Sequence, residues 1–149
     1  MVKGFCLQIL AILSLTAVAT VLTWKFHPGA PALYLNAEPL GDGEISIQDA
    51  LEKEANGGVI WIDARAEAKF AARHIPGAIL LNEFDFNRLL MDSFHLIANQ
   101  DRPIIVYCGS HSCKASGKIA GQLREKMIPD VFVLKGGWDA WLKETGGTP

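Results

Sequence analysis

IIVYCGSHSCKASGKIAGQLREKMIPDVFVL, residues 104–134, runs from four apolar residues through a polar turn with two cysteines and a stretch of helix-forming composition to four more apolar residues. Continuous apolar runs of this length predict strands covered on both faces. The segment between them, 114–127, is long enough for the helical crossover that parallel strands require. Working outward, "VIWI" at 59–62 is a third run of the same kind, and "AEAKFAARH" after it has helix-forming composition. "IPGAILL" turns at Pro76-Gly77 into a second short strand. In "SIQDALEKEANGG", Ser46 stands three residues before Asp49, a capping-box-like start, and Gly57 closes a short helix. "EFDFNRLLMDSFHLI" sets Phe86, Leu90, Phe94 and Ile97 at helical intervals. Strands alternating with helices give an α/β fold, a mostly parallel sheet flanked by helices on both faces.

Half of the 149 residues are hydrophobic and 20% are charged, which fits one globular domain with an appendage. The appendage is N-terminal: Gly4 to Trp24 is 21 residues without a charge, long enough for a transmembrane helix. A cleavable signal peptide competes with that anchor, because Lys3 precedes the run and Ala17-Val18-Ala19 and Ala30-Pro31-Ala32 have the form of cleavage sites. Apolar residues continue past the first of these sites to Trp24, which favours the anchor. The chain therefore divides into a membrane segment at 1–26, a Pro/Gly linker at 27–44 and a domain at 45–149. Lys3 and Lys25 nearly balance under the positive-inside rule, and the reading places the domain outside the cytoplasm, in a periplasmic setting. Past residue 27 the chain carries 12 basic and 16 acidic side chains, a balance that argues against a nucleic-acid partner. Three cysteines are too few for a disulfide-stapled domain, and Cys6 reads as an apolar residue of the membrane segment.

Ligands of parallel α/β sheets bind beyond the carboxyl ends of the strands. Those ends carry Asp63 and Arg65, then Cys108 with its loop, then Lys135. A loop entering a helix presents unpaired N–H groups and the positive end of the helix dipole, so a cysteine there is held toward the thiolate form. Lys114 at the helix start adds a cation. Position suits Cys108 to nucleophilic attack and equally to an ordinary buried strand end. Cys108 and Cys113, spaced C-x4-C, are also able to close a local disulfide.

"VIWIDAR", "HIPGAILL", "IIVYCGSHSCKAS" and "VLKGGWDAW" resemble, in that order, the successive signatures of the rhodanese-like sulfurtransferase domain, over roughly residues 45–145. The resemblance implies a catalytic cysteine, Cys108, that accepts a sulfane sulfur as a persulfide, within an active loop of Gly109, Ser110, His111, Ser112, Cys113 and Lys114. It implies a small sulfur-containing anion or persulfide as donor, a thiol or a partner protein as acceptor, and no metal or organic cofactor. Cys113 departs from the pattern, since many active members carry arginine or a small polar residue five positions after the cysteine.

Rival readings remain. C-x5-K, counted to Lys114, is the spacing of a phosphatase loop, but lysine lacks the guanidinium fork that grips phosphate. Cys108, His111 and Cys113 are soft metal ligands crowded into six residues without an evident fourth. "GSHSCKASGK" fails the P-loop spacing. A noncatalytic binding module needs neither cysteine, and a dithiol redox protein needs both Cys108 and Cys113. Asp63 and Arg65 are expected to pair or to brace the loop, His74 to hold the "HIPGA" turn, and Trp138 and Trp141 to cover the sheet.

Overall fold

The computed structural model describes residues 2–26, 39–97, 101–110 and 114–147. The chain forms two units, residues 1–38 and 39–149.

Among its described residues the first unit contains one helix, α1 (Val2–Phe26). Its side chains are described for residues 8–22, where Ile9, Leu10, Ile12, Leu13, Leu15, Val18, Val21 and Leu22 are all exposed. Ser14, Thr16 and Thr20 donate their hydroxyls back to helix carbonyls at 2.8–3.0 Å. Among the described residues no helix is long and apolar enough to cross a membrane. The segment expected to be a transmembrane helix is helical over Val2–Phe26. Residues 27–38 of the expected linker and the side chain of Cys6 lie outside the described residues, while residues 39–44 belong to the second unit.

Among its described residues the second unit holds a five-stranded sheet in the order β1-β5-β4-β2-β3, every pair parallel. Its strands are β1 (Glu44–Ile45), β2 (Ile60–Asp63), β3 (Ile79–Leu80), β4 (Ile104–Tyr107) and β5 (Val131–Leu134). All residues of β2 and β4 are buried, as expected for central strands between helical layers. Alternation sends Ile60, Ile62, Val106 and Cys108 to one face, where they meet α4 (Phe86–Ile97) and α5 (Ala115–Glu125). Trp61, Ile105 and Tyr107 go to the other, under α2 (Ile47–Gly57) and α6 (Gly137–Thr145). Trp138 and Trp141 stack at 5.2 Å on that second face, covering the sheet as expected.

Local chemistry sets the element ends. Ser46 Oγ accepts from Asp49 N at 3.1 Å and donates to the Asp49 carboxylate at 2.7 Å, which closes the start of α2. Pro76 and Gly77, with φ +76° at the glycine, make a tight turn closed by Ala78 N–H to Ile75 O at 2.9 Å. His74 bonds through Nδ1 to Phe70 O at 2.8 Å and stacks on the Phe70 ring, so it anchors this turn to α3 (Glu67–Ala72).

The helix read from Phe86, Leu90, Phe94 and Ile97 is present as α4, though not all four face the core. Phe94 is 50% exposed, whereas Phe86, Leu90 and Ile97 are buried. At 100° per residue Phe94 lies about 80° around the helix from Phe86, outside the core stripe, while Ile97 falls within about 20° of it. The short strand β1 was also not anticipated, being two residues long and held by Lys135 N–H to Ile45 O and Val133 N–H to Gly43 O.

Candidate active site

β2 and β4 end side by side, Asp63 paired in register with Tyr107. Tyr107 points toward α6, and its hydroxyl donates to Asp63 Oδ2 at 2.8 Å while accepting from Ile75 N at 3.1 Å. Asp63, fully buried, also accepts from Arg65 N at 2.9 Å, Arg65 Nε at 2.9 Å and Arg65 Nη2 at 2.6 Å. The same Nη2 reaches Arg73 O at 2.7 Å, and the guanidinium lies 4.4 Å from the Trp138 ring centre. Burial opposes the charge on Arg65, but the hydrogen bond and charge of Asp63 outweigh it and hold the guanidinium above its ordinary value. Burial, with Asp63 adding to it, pushes the Tyr107 phenol up, so it stays protonated and serves as a donor. A buried ion pair with every oxygen satisfied keeps its geometry, because breaking one partner leaves an uncompensated charge. Asp63 and Arg65 therefore pair with each other and fix the strand ends under the loop.

Cys108, one residue further on, takes the opposite face and is 2% exposed. Its Sγ accepts from Ser116 Oγ at 3.4 Å and donates to Ser110 O at 3.6 Å. Ser116 lies in the first turn of α5, 2% exposed, and Lys114 at the N-cap of that helix is solvent-exposed. The main chain of the loop is gripped from the other side. Trp138 N–H donates to Cys108 O at 2.7 Å and Asp139 N–H to Gly109 O at 3.3 Å. Both donors belong to the first turn of α6, whose N–H groups have no partner inside the helix. This approach requires glycine: Gly137 has φ +54°, and a Cβ there would sit 2.3 Å from Cys108 O.

The structure thus brings Cys108, Gly109, Ser110 and Lys114 to one loop and Asp63 with Arg65 to the strand end beside it. His111, Ser112 and Cys113 lie outside the described residues, and with them the C-x4-C pair and the metal-ligand reading. Lys135, at the end of β5, donates to Pro39 O at 2.6 Å and lies 3.6 Å from Glu44 Oε2. Sequence reasoning missed Ser116 and Tyr107. The second had a signal, a polar-tipped aromatic closing an apolar strand. The first had none.

A family model for the rhodanese-like domain matches residues 46–144. The chain belongs to that family. Thiosulfate sulfurtransferase GlpE of Haemophilus influenzae strain PittEE is 33% identical over 100 residues, covering 67% of this chain and 88% of the relative. The protein of that name from Pseudoalteromonas translucida strain TAC 125 is 32% identical over 97 residues, 65% of this chain and 86% of the relative. Among solved structures, the BH2092 protein from Bacillus halodurans has 28% identity and a TM-score of 0.57, over 68% of this chain and 72% of that one. The rhodanese-like domain protein from Staphylococcus aureus shares the fold at 23% identity and a TM-score of 0.51, over 66% and 89%. In this rhodanese-like domain the "KGGW" segment, Lys135 to Trp138, is the clamp on the carbonyl of Cys108.

Proposed function

We propose that this rhodanese-like domain is a sulfurtransferase that carries a sulfane sulfur as a persulfide on Cys108. The observation that carries the reading is the Ser116 Oγ hydrogen bond to Cys108 Sγ at 3.4 Å, at a strand end that faces the start of α5. A hydroxyl donor and a helix N-terminus both favour negative charge on sulfur. The thiolate of Cys108 attacks the outer sulfur of a donor such as thiosulfate. A bond forms between the two sulfurs as the donor's own S–S bond breaks, and its electron pair leaves on sulfite. A thiol acceptor or a partner protein's cysteine then removes the outer sulfur and regenerates the thiolate. The GlpE relatives, whose name states thiosulfate sulfurtransferase activity, support this chemistry. The test is the intact mass of the protein before and after thiosulfate. Gain of one sulfur atom is expected, and a mass that does not change overturns the reading.

Lys114 is assigned to donor attraction and not to chemistry. Its exposed charge is worth about 1 kcal/mol or less, so Lys114→Ala is expected to slow capture from thiosulfate severalfold while leaving capture from an uncharged polysulfide nearly as fast. Equal losses with both donors would remove Lys114 from that role.

Cys113 is assigned as a second thiol able to close a disulfide with Cys108, the C-x4-C variant of the loop. Mild oxidation is expected to stop sulfur capture by the unmodified protein but not by Cys113→Ser. Two thiols that still alkylate at 108 and 113 after oxidation would end this proposal.

Residues 4–24 are assigned as a membrane anchor that holds the domain outside the cytoplasm. Support comes from the exposed apolar side chains of α1 and from its hydroxyls, which are satisfied within the helix. Full-length protein is expected to stay in the membrane fraction through carbonate extraction. A mature form that lacks residues 1–32 would instead identify a cleaved signal peptide.

A further inference from the structure

The loop from Leu81 to Asp85 joins β3 to α4 and flanks the active loop. Leu81 N–H donates to Asp63 O at 2.9 Å, which sets this loop at the end of β2, the strand beside β4 and Cys108. Leu81 and Phe86, on either side of its turn, are buried in the same cluster as Cys108. Asn82 is buried too and pins the turn, its Oδ1 accepting from Phe84 N at 3.0 Å and from Asp85 N at 3.2 Å. Glu83 then reaches across to α5, where its Oε2 accepts from Lys118 Nζ at 2.7 Å. Lys118 follows Ser116, the partner of Cys108 Sγ, by two residues, and it stands one helical turn after Lys114. The start of α5 therefore carries two cations on one flank, and Glu83 masks the second. Asp85 in turn pairs with Arg88 at 3.1 Å. Between these tied residues Phe84 is 79% exposed, an aromatic ring held out to solvent by a fixed main chain. Such a wall gives a small dianion little beyond the pull of Lys114, while an organic group gains a ring to lie against.

Resting on the persulfide assignment to Cys108, we infer that Glu83 and Phe84 are specificity-determining residues that tilt donor choice away from an inorganic dianion and toward a singly charged donor with an apolar organic arm. Glu83 acts by holding Lys118 out of the donor's field. Phe84 acts by contact, its ring covering the arm while the outer sulfur meets Cys108. With an organic thiosulfonate, the simplest such donor, the Cys108 thiolate attacks the outer sulfur. The new S–S bond forms as the donor's own S–S bond breaks, and the electron pair leaves on the sulfinate. The step takes up no proton, oxidant or reductant.

The experiment treats the full chain in detergent with thiosulfate, or with the methanethiosulfonate or benzenethiosulfonate anion, and follows by intact mass the rate at which one sulfur is gained. Methanethiosulfonate has the charge of the benzene compound without its ring, so two rate ratios separate arm from charge. Phe84→Ala is expected to lower the benzene-to-methane ratio about threefold and to leave the thiosulfate-to-methane ratio as it was. Glu83→Gln is expected to raise the thiosulfate-to-methane ratio about twofold, a gain that fades in concentrated salt and that Lys118→Gln cancels when added to it. Glu83, Phe84 and Lys118 are exposed, so melting temperatures should match that of the unmodified chain. Ratios that stay the same in every variant would overturn the role of this loop while the persulfide stands. No added sulfur from any of the three donors would overturn both.

Discussion

Cys108→Ser should lose sulfur transfer by about a thousandfold or more, because a serine hydroxyl neither ionises near neutral pH nor holds a transferable sulfur. The substitution is nearly isosteric, and the hydroxyl inherits the Ser116 partner that sits 3.4 Å from Sγ. Stability should therefore change by about 1 kcal/mol or less. Turnover of thiosulfate and the intact mass after donor treatment are the measurements. A sulfur adduct that persists in Cys108→Ser would move the nucleophile elsewhere. The same series separates the rival classes: sulfur transfer needs Cys108 alone, dithiol cycling also fails in Cys113→Ser, and a binding module keeps its partner in both.

Gly137→Ala should be the most damaging single methyl group near the site. The backbone at Gly137 has φ +54°, which costs an L-residue about 1 kcal/mol or more. The added Cβ also falls 2.3 Å from Cys108 O and 3.0 Å from Cys108 C, which are main-chain atoms with no rotamer to yield. Overpacking of this kind adds about 1–3 kcal/mol, so the melting temperature should fall by about 10 °C or more. Relief of the clash moves the Cys108 main chain away from Trp138 N–H, so capture should slow about tenfold or more even where the variant remains folded. Gly121→Ala serves as the control. A Cβ at Gly121 meets nothing within 4 Å inside α5, and that variant should gain about 0.5–1 kcal/mol. Equal melting temperatures for the two variants would mean that the close approach at Gly137 does not hold the loop.

The central sheet was legible because VIWI and IIVY are buried on both faces and VFVL at least partly so, and all three read as unbroken apolar runs. The strand β1 was not, since Glu44 and Ile45 offer no pattern and owe their conformation to pairing with β5. Asp63 and Arg65 could be nominated as a pair from their spacing. Their tie to Tyr107 lies 44 residues along the chain and follows only from the parallel register of β2 and β4. Ser116 was invisible for a related reason. Its contact with Cys108 spans eight residues and depends on the path of the loop before α5, which spacing does not specify.

The outermost strands, β1 and β3, are two residues long, while the three inner strands have four each. An edge of two residues presents few unpaired main-chain groups, so there is little template onto which another chain can add a strand. In the Glu44 strand the Lys135–Glu44 ion pair further marks the border with charge. A sheet this apolar inside is thereby closed against its own copies at both margins. At the high local density of a crowded surface, the domain should resist strand-by-strand association and remain separate from its neighbours.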